Sequence, residues 1–212
     1  MESAPSLDID ANDLMEADSG PPDQKAQLRA RLVAERERLH EHQRRRLDRR
    51  ICTHLLRFLD ERDCLNLAAF YPFRGEPDLL PALEALHHAG RRVFLPVVRD
   101  QHMHFRHWSP ASRMETNRFG IPEPTMGVEC PPERLELVMM PLVAFSAAGT
   151  RLGMGAGFYD RTFSFALDQP ESGPWLVGAA YSLQEIDTLP AQSWDVPMDA
   201  VITDRGLRVF RE

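Results

Sequence analysis

No apolar run in this chain approaches the roughly eighteen residues that a membrane-spanning helix needs. The N-terminus lacks a basic segment followed by an apolar one, so no secretory signal is expected. Cysteine is scarce: Cys52, Cys64 and Cys130 are odd in number, scattered and free of C-x-x-C spacing. They read as reduced, buried thiols of a cytoplasmic protein, not as a disulfide framework. Positive charge is in deficit as well. The formal net charge is −7, which weighs against nucleic acid as a partner. Glycine is sparse, 12 in 212 residues, yet Gly153, Gly155 and Gly157 stand at alternate positions.

What is present suits one domain. A hydrophobic fraction of 43% and a charged fraction of 27% are ordinary globular values. The length supports a single α/β core, and two full domains would be cramped. Charge is unevenly spread. Residues 1–23 carry seven acids and no Lys or Arg, and residues 24–50 carry ten Lys or Arg against four acids. The first segment reads as a disordered acidic leader that ends at Pro21-Pro22, with Asp23 placed to cap the next helix. The domain proper is then 24–212.

From about 24 to 60, Leu28, Leu32, Leu47, Ile51, Leu55, Phe58 and Leu59 recur at helical spacing, which predicts two amphipathic helices. Their Arg residues, Arg44–Arg46 included, are read as a solvated face. The period then shortens. Leu65–Tyr71, Val93–Val98, His102–Trp108, Leu135–Phe145, Trp175–Tyr181, Ala200–Thr203 and Leu207–Phe210 are predicted strands. Asp78–Ala89 is a predicted helix with Leu79, Leu83 and Leu86 on one face and Gly90 at its end, and Phe158–Leu167 is another. This alternation implies a single layered α/β/α domain with a mostly parallel central sheet, preceded by N-terminal helices. His102, His104 and His107 resemble a metal cluster only superficially. Strand alternation puts just His102 and His104 on one face, with no Cys or Asp at ligand spacing.

The chemically informative stretch runs from Pro141 to Arg161. A buried strand leads into a loop in which Gly153, Gly155 and Gly157 let backbone N–H groups approach an anion. A helix start follows, where the dipole favours phosphate. Arg151 offers a planar fork for phosphate oxygens, and Asp160 offers a carboxylate for Mg²⁺ beside them. The spacing is neither G-x-G-x-x-G nor a Walker A loop. By pattern alone, a plain glycine-rich turn with Arg151 and Asp160 as a surface pair explains it equally well.

The string Arg151-Leu152-Gly153-Met154-Gly155-Ala156-Gly157-Phe158-Tyr159-Asp160 resembles the signature of 5-formyltetrahydrofolate cyclo-ligases. Further segments resemble that family in the same order. They are Lys25-Ala26-Gln27-Leu28-Arg29, Phe70–Glu76, Phe119–Pro124 and Trp194-Asp195-Val196-Pro197-Met198-Asp199. The resemblance covers about residues 24–205 and leaves the leader outside. It implies a soluble ligase of one-carbon metabolism that uses ATP and Mg²⁺ to close 5-formyltetrahydrofolate to 5,10-methenyltetrahydrofolate, through a phosphorylated formyl group.

The same resemblance implies residue roles. ATP would be bound by Lys25, Arg29 and the whole run Arg151, Leu152, Gly153, Met154, Gly155, Ala156, Gly157, Phe158 and Tyr159. The folate would be bound by Tyr71, Glu76 and the span from Met154 to Phe158, with Phe119, Ile121 and Pro122 lining the pterin pocket. Mg²⁺ would be held by Asp160 and Asp195, and Asp199 would orient the last strand. A carboxylate at 76 suits the paired donor edge of a pterin. Met154 and Ala156 stand where some relatives have basic residues, Phe158 where Tyr is common, Trp194 where His is frequent, and Leu79 where Thr is usual. The expected partners are 5-formyltetrahydrofolate and ATP, with the chain a monomer or weak dimer. A non-catalytic nucleotide- or RNA-binding protein using the Arg-rich helices is the competing class. A sugar-phosphate isomerase or CoA-transferase reading lacks a catalytic Glu motif.

Overall fold

In the computed structural model, which describes residues 22–168 and 173–210, two basic helices precede the sheet. They are α1 (Pro22–Glu37) and α2 (Glu41–Asp60). The leader assigned to 1–23 lies outside the described residues, save that Pro22 and Asp23 already belong to α1. Asp23 is therefore within the helix and not its cap. On α2, Ile51, Leu55, Phe58 and Leu59 are buried at spacings of four, three and one, one apolar stripe toward the core. Arg45 and Arg46 are exposed as expected. Arg44 is not: it is half-buried beside the buried carboxylate of Asp48, whose Oδ1 accepts the Tyr181 hydroxyl at 2.7 Å.

The chain continues through β1 (Asn66–Ala68), α3 (Leu80–His88), β2 (Arg92–Arg99), β3 (His102–Trp108), β4 (Met114–Thr116), β5 (Pro122–Pro124) and β6 (Glu129–Cys130). It then forms β7 (Leu137–Pro141), β8 (Ala144–Phe145), β9 (Arg151–Leu152), α4 (Phe158–Thr162), α5 (Phe165–Asp168), β10 (Trp175–Ala179), β11 (Ala200–Thr203) and β12 (Gly206–Val209). Eight strands make one sheet in the order β12-β11-β10-β7-β1-β2-β3-β6. The five central strands pair in parallel, and β12, β3 and β6 are antiparallel additions at the edges.

Strand β7 shows why the sheet is covered on both sides. Leu137 and Met139 enter the cluster formed with α2 and α3, while Val138 and Met140 enter the cluster formed with Phe158, Tyr159, Phe163 and Phe165. Alternation along a strand buried on both faces gives three layers. Leu79, Leu83 and Leu86 are buried as expected, and Gly90, at φ 84°, ends α3 in the left-handed region.

Two elements differ from expectation. Leu135–Phe145 is not one strand. The ladder stops at Pro141, which has no N–H to donate, and Ala144–Phe145 instead pairs with β9 in a separate hairpin. Phe158–Leu167 is two short helices with a turn at Phe163–Ser164, where Phe163 is fully buried and rests against Phe105 and Tyr159. All three cysteines are buried and unpaired. No described helix is long and apolar enough to cross a membrane.

Candidate active site

Connections leave β1 toward β2 on one side and run from β7 to β10 and β11 on the other, so the winding direction reverses between β1 and β7. Strand ends part at such a point and leave a crevice beyond their carboxyl termini. A cleft of about 1000 Å³ opens there, lined by Phe70, Tyr71 and Glu76 after β1, Pro141 and Leu142 at the end of β7, and the glycine loop. It also takes in Lys25, Arg29, every residue from Arg151 to Asp160, and Asp195. One cavity thus gathers every residue assigned above to ATP, folate or metal except Pro122.

One end is built for an anion. Leu32 and Val33 of α1 pack with Val143, Ala144 and Leu152 of the β8–β9 hairpin, and this fixes the helix beside the loop. Lys25 and Arg29, one turn apart, consequently face the glycines. Lys25 is only 7% exposed, and Arg29 Nε donates to the Gly153 carbonyl at 2.9 Å. Gly157 adopts φ 65° as it leads into α4, and a Cβ there would stand 2.8 Å from Arg161 Nη1. The exposed Arg161 side chain could swing aside, so it is the positive φ that favours glycine here.

Arg151 donates from Nη2 to Asp160 Oδ1 at 2.6 Å. This is the pair the bare pattern allowed, but it lies in the cleft and its arginine is nearly buried. Arg151 Nε and the Tyr159 hydroxyl are shielded from solvent with no hydrogen-bond partner among the described residues. Buried polar atoms are rarely left so, and their place in the cleft points to a ligand. Burial also raises the Tyr159 phenol above its ordinary value.

Asp160 Oδ1 also accepts the Val196 N–H at 3.1 Å, which ties the loop to the segment carrying Asp195. Burial raises the Asp160 carboxyl, Arg151 opposes this, and the charge of Asp195 adds to the rise, so the two carboxylates feel each other. Asp195 Oδ2 accepts the Gln192 N–H at 2.8 Å. Each carboxylate keeps one oxygen outside these bonds. Two such oxygens beside the glycine loop could serve Mg²⁺, which takes few protein ligands and fills the rest with phosphate and water.

The other end is organised around Glu76, 7% exposed. Arg74 at φ 47° and Gly75 at φ 73° form a left-handed turn that directs it inward. A Cβ on Gly75 would crowd the α1 backbone at Arg36 and Glu37, at 3.3 Å. Glu76 Oε2 accepts the Phe73 N–H at 3.1 Å, and Oε1 faces Arg36 Nη2 at 3.4 Å. Burial pushes the Glu76 carboxyl up to about 7, with Arg36 pulling the other way.

The sequence pattern that describes the 5-formyltetrahydrofolate cyclo-ligase family matches residues 22–204. The chain belongs to the 5-formyltetrahydrofolate cyclo-ligase family. It is accordingly an enzyme, a ligase. The 5-formyltetrahydrofolate cyclo-ligase of Escherichia coli is 35% identical over 181 residues, spanning 81% of this chain and 96% of that one. That of Haemophilus influenzae is 33% identical over 180 residues, with 82% and 94% covered. The NMR structure of Aquifex aeolicus 5,10-methenyltetrahydrofolate synthetase superposes with a TM-score of 0.77 at 32% identity, covering 89% of this chain and 93% of that chain.

Within this cyclo-ligase cleft some residues escape a sequence reading. Arg36 is the chief one. It is fully buried and donates from Nε to the Arg74 carbonyl at 2.8 Å, from Nη1 to Leu142 at 3.0 Å, and from Nη2 toward Phe73 and Glu76. A signal existed: Lys25, Arg29, Leu32 and Arg36 fall at i, i+4, i+7 and i+11, the buried face of α1. Asn117 and Glu123 were also missed. Asn117 Oδ1 accepts the N–H groups of Phe119 and Ile121, and Glu123 Oε1 accepts the Val98 N–H, which pins this wall of the cleft.

Phe119 and Ile121 line the cavity, and Phe119 meets Phe158 edge-on at 5.8 Å. Pro122 does not line it. As the first residue of β5 it pairs with Thr116, and alternation turns it away from its neighbour's face. Trp194 stands at the rim, 49% exposed. His104 faces Glu129 at 3.9 Å, and no group of three potential metal ligands occurs among the described residues. Asp199 Oδ2 accepts the Leu176 N–H at 2.8 Å, bracing β10 beside β11.

Proposed function

We propose that the enzyme converts 5-formyltetrahydrofolate and ATP into 5,10-methenyltetrahydrofolate, ADP and phosphate, with Mg²⁺. The carrying observation is one continuous cleft with a cation-flanked glycine loop at one end and a buried carboxylate at the other. That polarity matches a reaction in which a phosphate donor and a pterin must meet.

The formyl oxygen is a poor leaving group. Transfer of the terminal phosphoryl group of ATP to it yields a phosphate ester of the formyl carbon. N10 then attacks that carbon, the C–O bond breaks, phosphate departs with the oxygen, and the N10 proton passes to solvent. Such transfer depends on positioning and charge neutralisation, and no enzyme nucleophile is needed. Lys25, Arg29 and Arg151 supply positive charge, and backbone N–H groups of the loop receive the phosphates. Asp160 and Asp195 would hold Mg²⁺, whose contribution is to neutralise charge on the phosphate oxygens. Glu76 accepts the amino and ring N–H donors of the pterin, with Tyr71, Phe119 and Phe158 as ring surface. Leu142 and Pro141 exclude water from the floor of the cleft. Three buried thiols with no pairing partner suit a reducing cytoplasm.

The test is direct: incubate the protein with 5-formyltetrahydrofolate, Mg²⁺ and ATP and follow methenyl-folate absorbance in the near ultraviolet. An ATP-dependent rise is expected. Correctly folded protein with no such signal would refute the proposal.

A further inference from the structure

We infer that Asp48, Tyr181 and Gln184 are positioning residues for the folate: with Arg36 they close a ring of buried hydrogen bonds that fixes Glu76 and the floor of the cleft from behind. This rests on the folate reading above and extends it to groups outside the cleft.

None of the three lines the cleft, and the reaction as written makes no use of them. All are buried, Tyr181 and Gln184 completely and Asp48 with 9% exposed. A carboxylate, a phenol and an amide in a core are costly unless each is bonded, and apolar side chains would pack there more cheaply. Their bonds are specific. Asp48 Oδ1, on α2, accepts the Tyr181 O–H at 2.7 Å and the Asp78 N–H at 3.3 Å. Asp78 lies two residues beyond Glu76. The Cys52 thiol, also on α2, reaches the Asp78 carbonyl at 3.3 Å, and Asp78 Oδ1 accepts the Leu80 N–H at the start of α3. The segment that carries Glu76 is thereby clamped to α2 through both backbone polar groups of one residue.

The other arc runs through the turn after β10. Tyr181 gives its N–H to Gln184 Oε1 at 2.8 Å. Gln184 Nε2 donates in turn to the carbonyls of Leu142 and Val143, at 2.9 and 3.0 Å. The Leu142 carbonyl also accepts Arg36 Nη1 at 3.0 Å, and Arg36 Nη2 faces Glu76 Oε1 at 3.4 Å. The circuit therefore leaves Glu76 through its side chain and returns to it through the backbone of Pro77. It ties α1 and α2 to the chain segments after β1, β7 and β10, where the strands part to form the cleft.

What the ring supplies is precision. Two parallel hydrogen bonds from a pterin edge require the carboxylate within about 0.5 Å of its productive place. Arg36 alone would hold Oε1 and leave the backbone around Glu76 free to shift. A fully bonded buried network resists such a shift, because each displacement unpairs a polar group elsewhere.

The test uses the full chain and reads three quantities: equilibrium binding of 5-formyltetrahydrofolate without nucleotide, the KM for ATP, and the melting temperature. Tyr181→Phe removes one hydroxyl and keeps the ring. It should weaken folate binding about three- to tenfold, the size of one buried hydrogen bond. The KM for ATP should stay within about twofold, since the phosphate end lies outside the ring. The decisive comparison is the same change in a Glu76→Gln background. There the loss of the hydroxyl should weaken folate binding further by less than about twofold, because Tyr181 acts through Glu76. Asp48→Asn keeps an acceptor for both donors and should hold folate affinity near wild type, whereas Asp48→Ala should match Tyr181→Phe. This second pair carries the test should Tyr181→Phe fail to fold.

Unchanged folate affinity in Tyr181→Phe and Asp48→Ala, whatever their melting temperatures, would overturn the inference. So would losses that are equal for folate and ATP, or that add in full to the loss from Glu76→Gln, since general loosening of the fold produces both. Wild type that neither binds nor cyclises the folate would refute the folate reading itself, a separate failure.

Discussion

The two ends of the cleft prepare for a ligand in opposite ways. At the proposed phosphate end, positive side chains from α1 and the loop stand around the glycines, and two shielded polar atoms, Arg151 Nε and the Tyr159 hydroxyl, have no hydrogen-bond partner among the described residues. At the proposed pterin end the carboxylate of Glu76 is already held by Arg36 and the Phe73 N–H before any ligand arrives. The first end is left incomplete until it binds. The second is prearranged, and it carries a buried ion pair whose desolvation is costly unless both partners stay. Losing a charge should therefore act on binding at the phosphate end and on both folding and binding at the pterin end.

Arg36→Met presses hardest on that contrast. It leaves Glu76 buried without its counter-charge, which typically costs about 3–5 kcal/mol. The sign with pH is testable. Glu76 is raised from 4.5 to about 7. Its favourable contribution to stability is therefore full below its unfolded value and is lost as pH rises through about 7. Without Arg36 the carboxyl titrates higher still. Denaturation curves should show the larger loss at pH 8 and a smaller one at pH 6, where the carboxyl can protonate. The acid limb of folate kcat/KM should move to higher pH. An equal loss at both pH values would mean that Arg36 matters through its carbonyl contacts alone.

Lys25→Met acts at the other end. Removing one charge-assisted bond to an ATP phosphate should cost about 1.5–3 kcal/mol, roughly 10- to 150-fold, in the ATP dependence and in turnover. Folate binding without nucleotide and the melting temperature should barely change. Arg45, exposed and paired with Glu41 on the surface of α2, is the control. If Arg45→Met reproduced the effect, Lys25 would be scaffold.

The smallest difference lies within the proposed metal pair. Asp160 is braced by Arg151 and the Val196 N–H, whereas the Asp195 carboxylate accepts the local Gln192 N–H. Asp195→Asn should raise the Mg²⁺ requirement with about 0.5 kcal/mol or less of lost stability. Asp160→Asn should raise that requirement and also lower the melting temperature. The double variant should cost less than the sum, as neighbours sharing a partner do. Additive losses with unchanged Mg²⁺ dependence would assign both residues to structure.

Legibility followed the same division. The run from Arg151 to Asp160 could be read because its residues are consecutive: the glycines, the flanking arginine and the carboxylate are local features of one loop and helix start. The helical pair before the sheet and the alternating β-strands were legible for the same reason, since periodicity is a property of neighbours along the chain. The break after Pro141 needed the sheet. A long apolar run does not say where one ladder ends and another begins, although the missing N–H of the proline explains it afterwards.

By itself, then, the sequence determined the layered α/β class, the parallel core, the glycine-rich loop and the family to which these motifs belong. The tertiary structure alone decided that Arg36 is a buried counter-charge and not one more solvated arginine. It likewise settled that Asp48 is buried beside a half-buried Arg44, that Pro122 turns away from the cleft, and that Arg118 and Arg161 meet on one turn. The physical reason is common to all four. A charge announces its type in the sequence, but its role depends on which partners and how much water surround it, and those are set by segments tens of residues away.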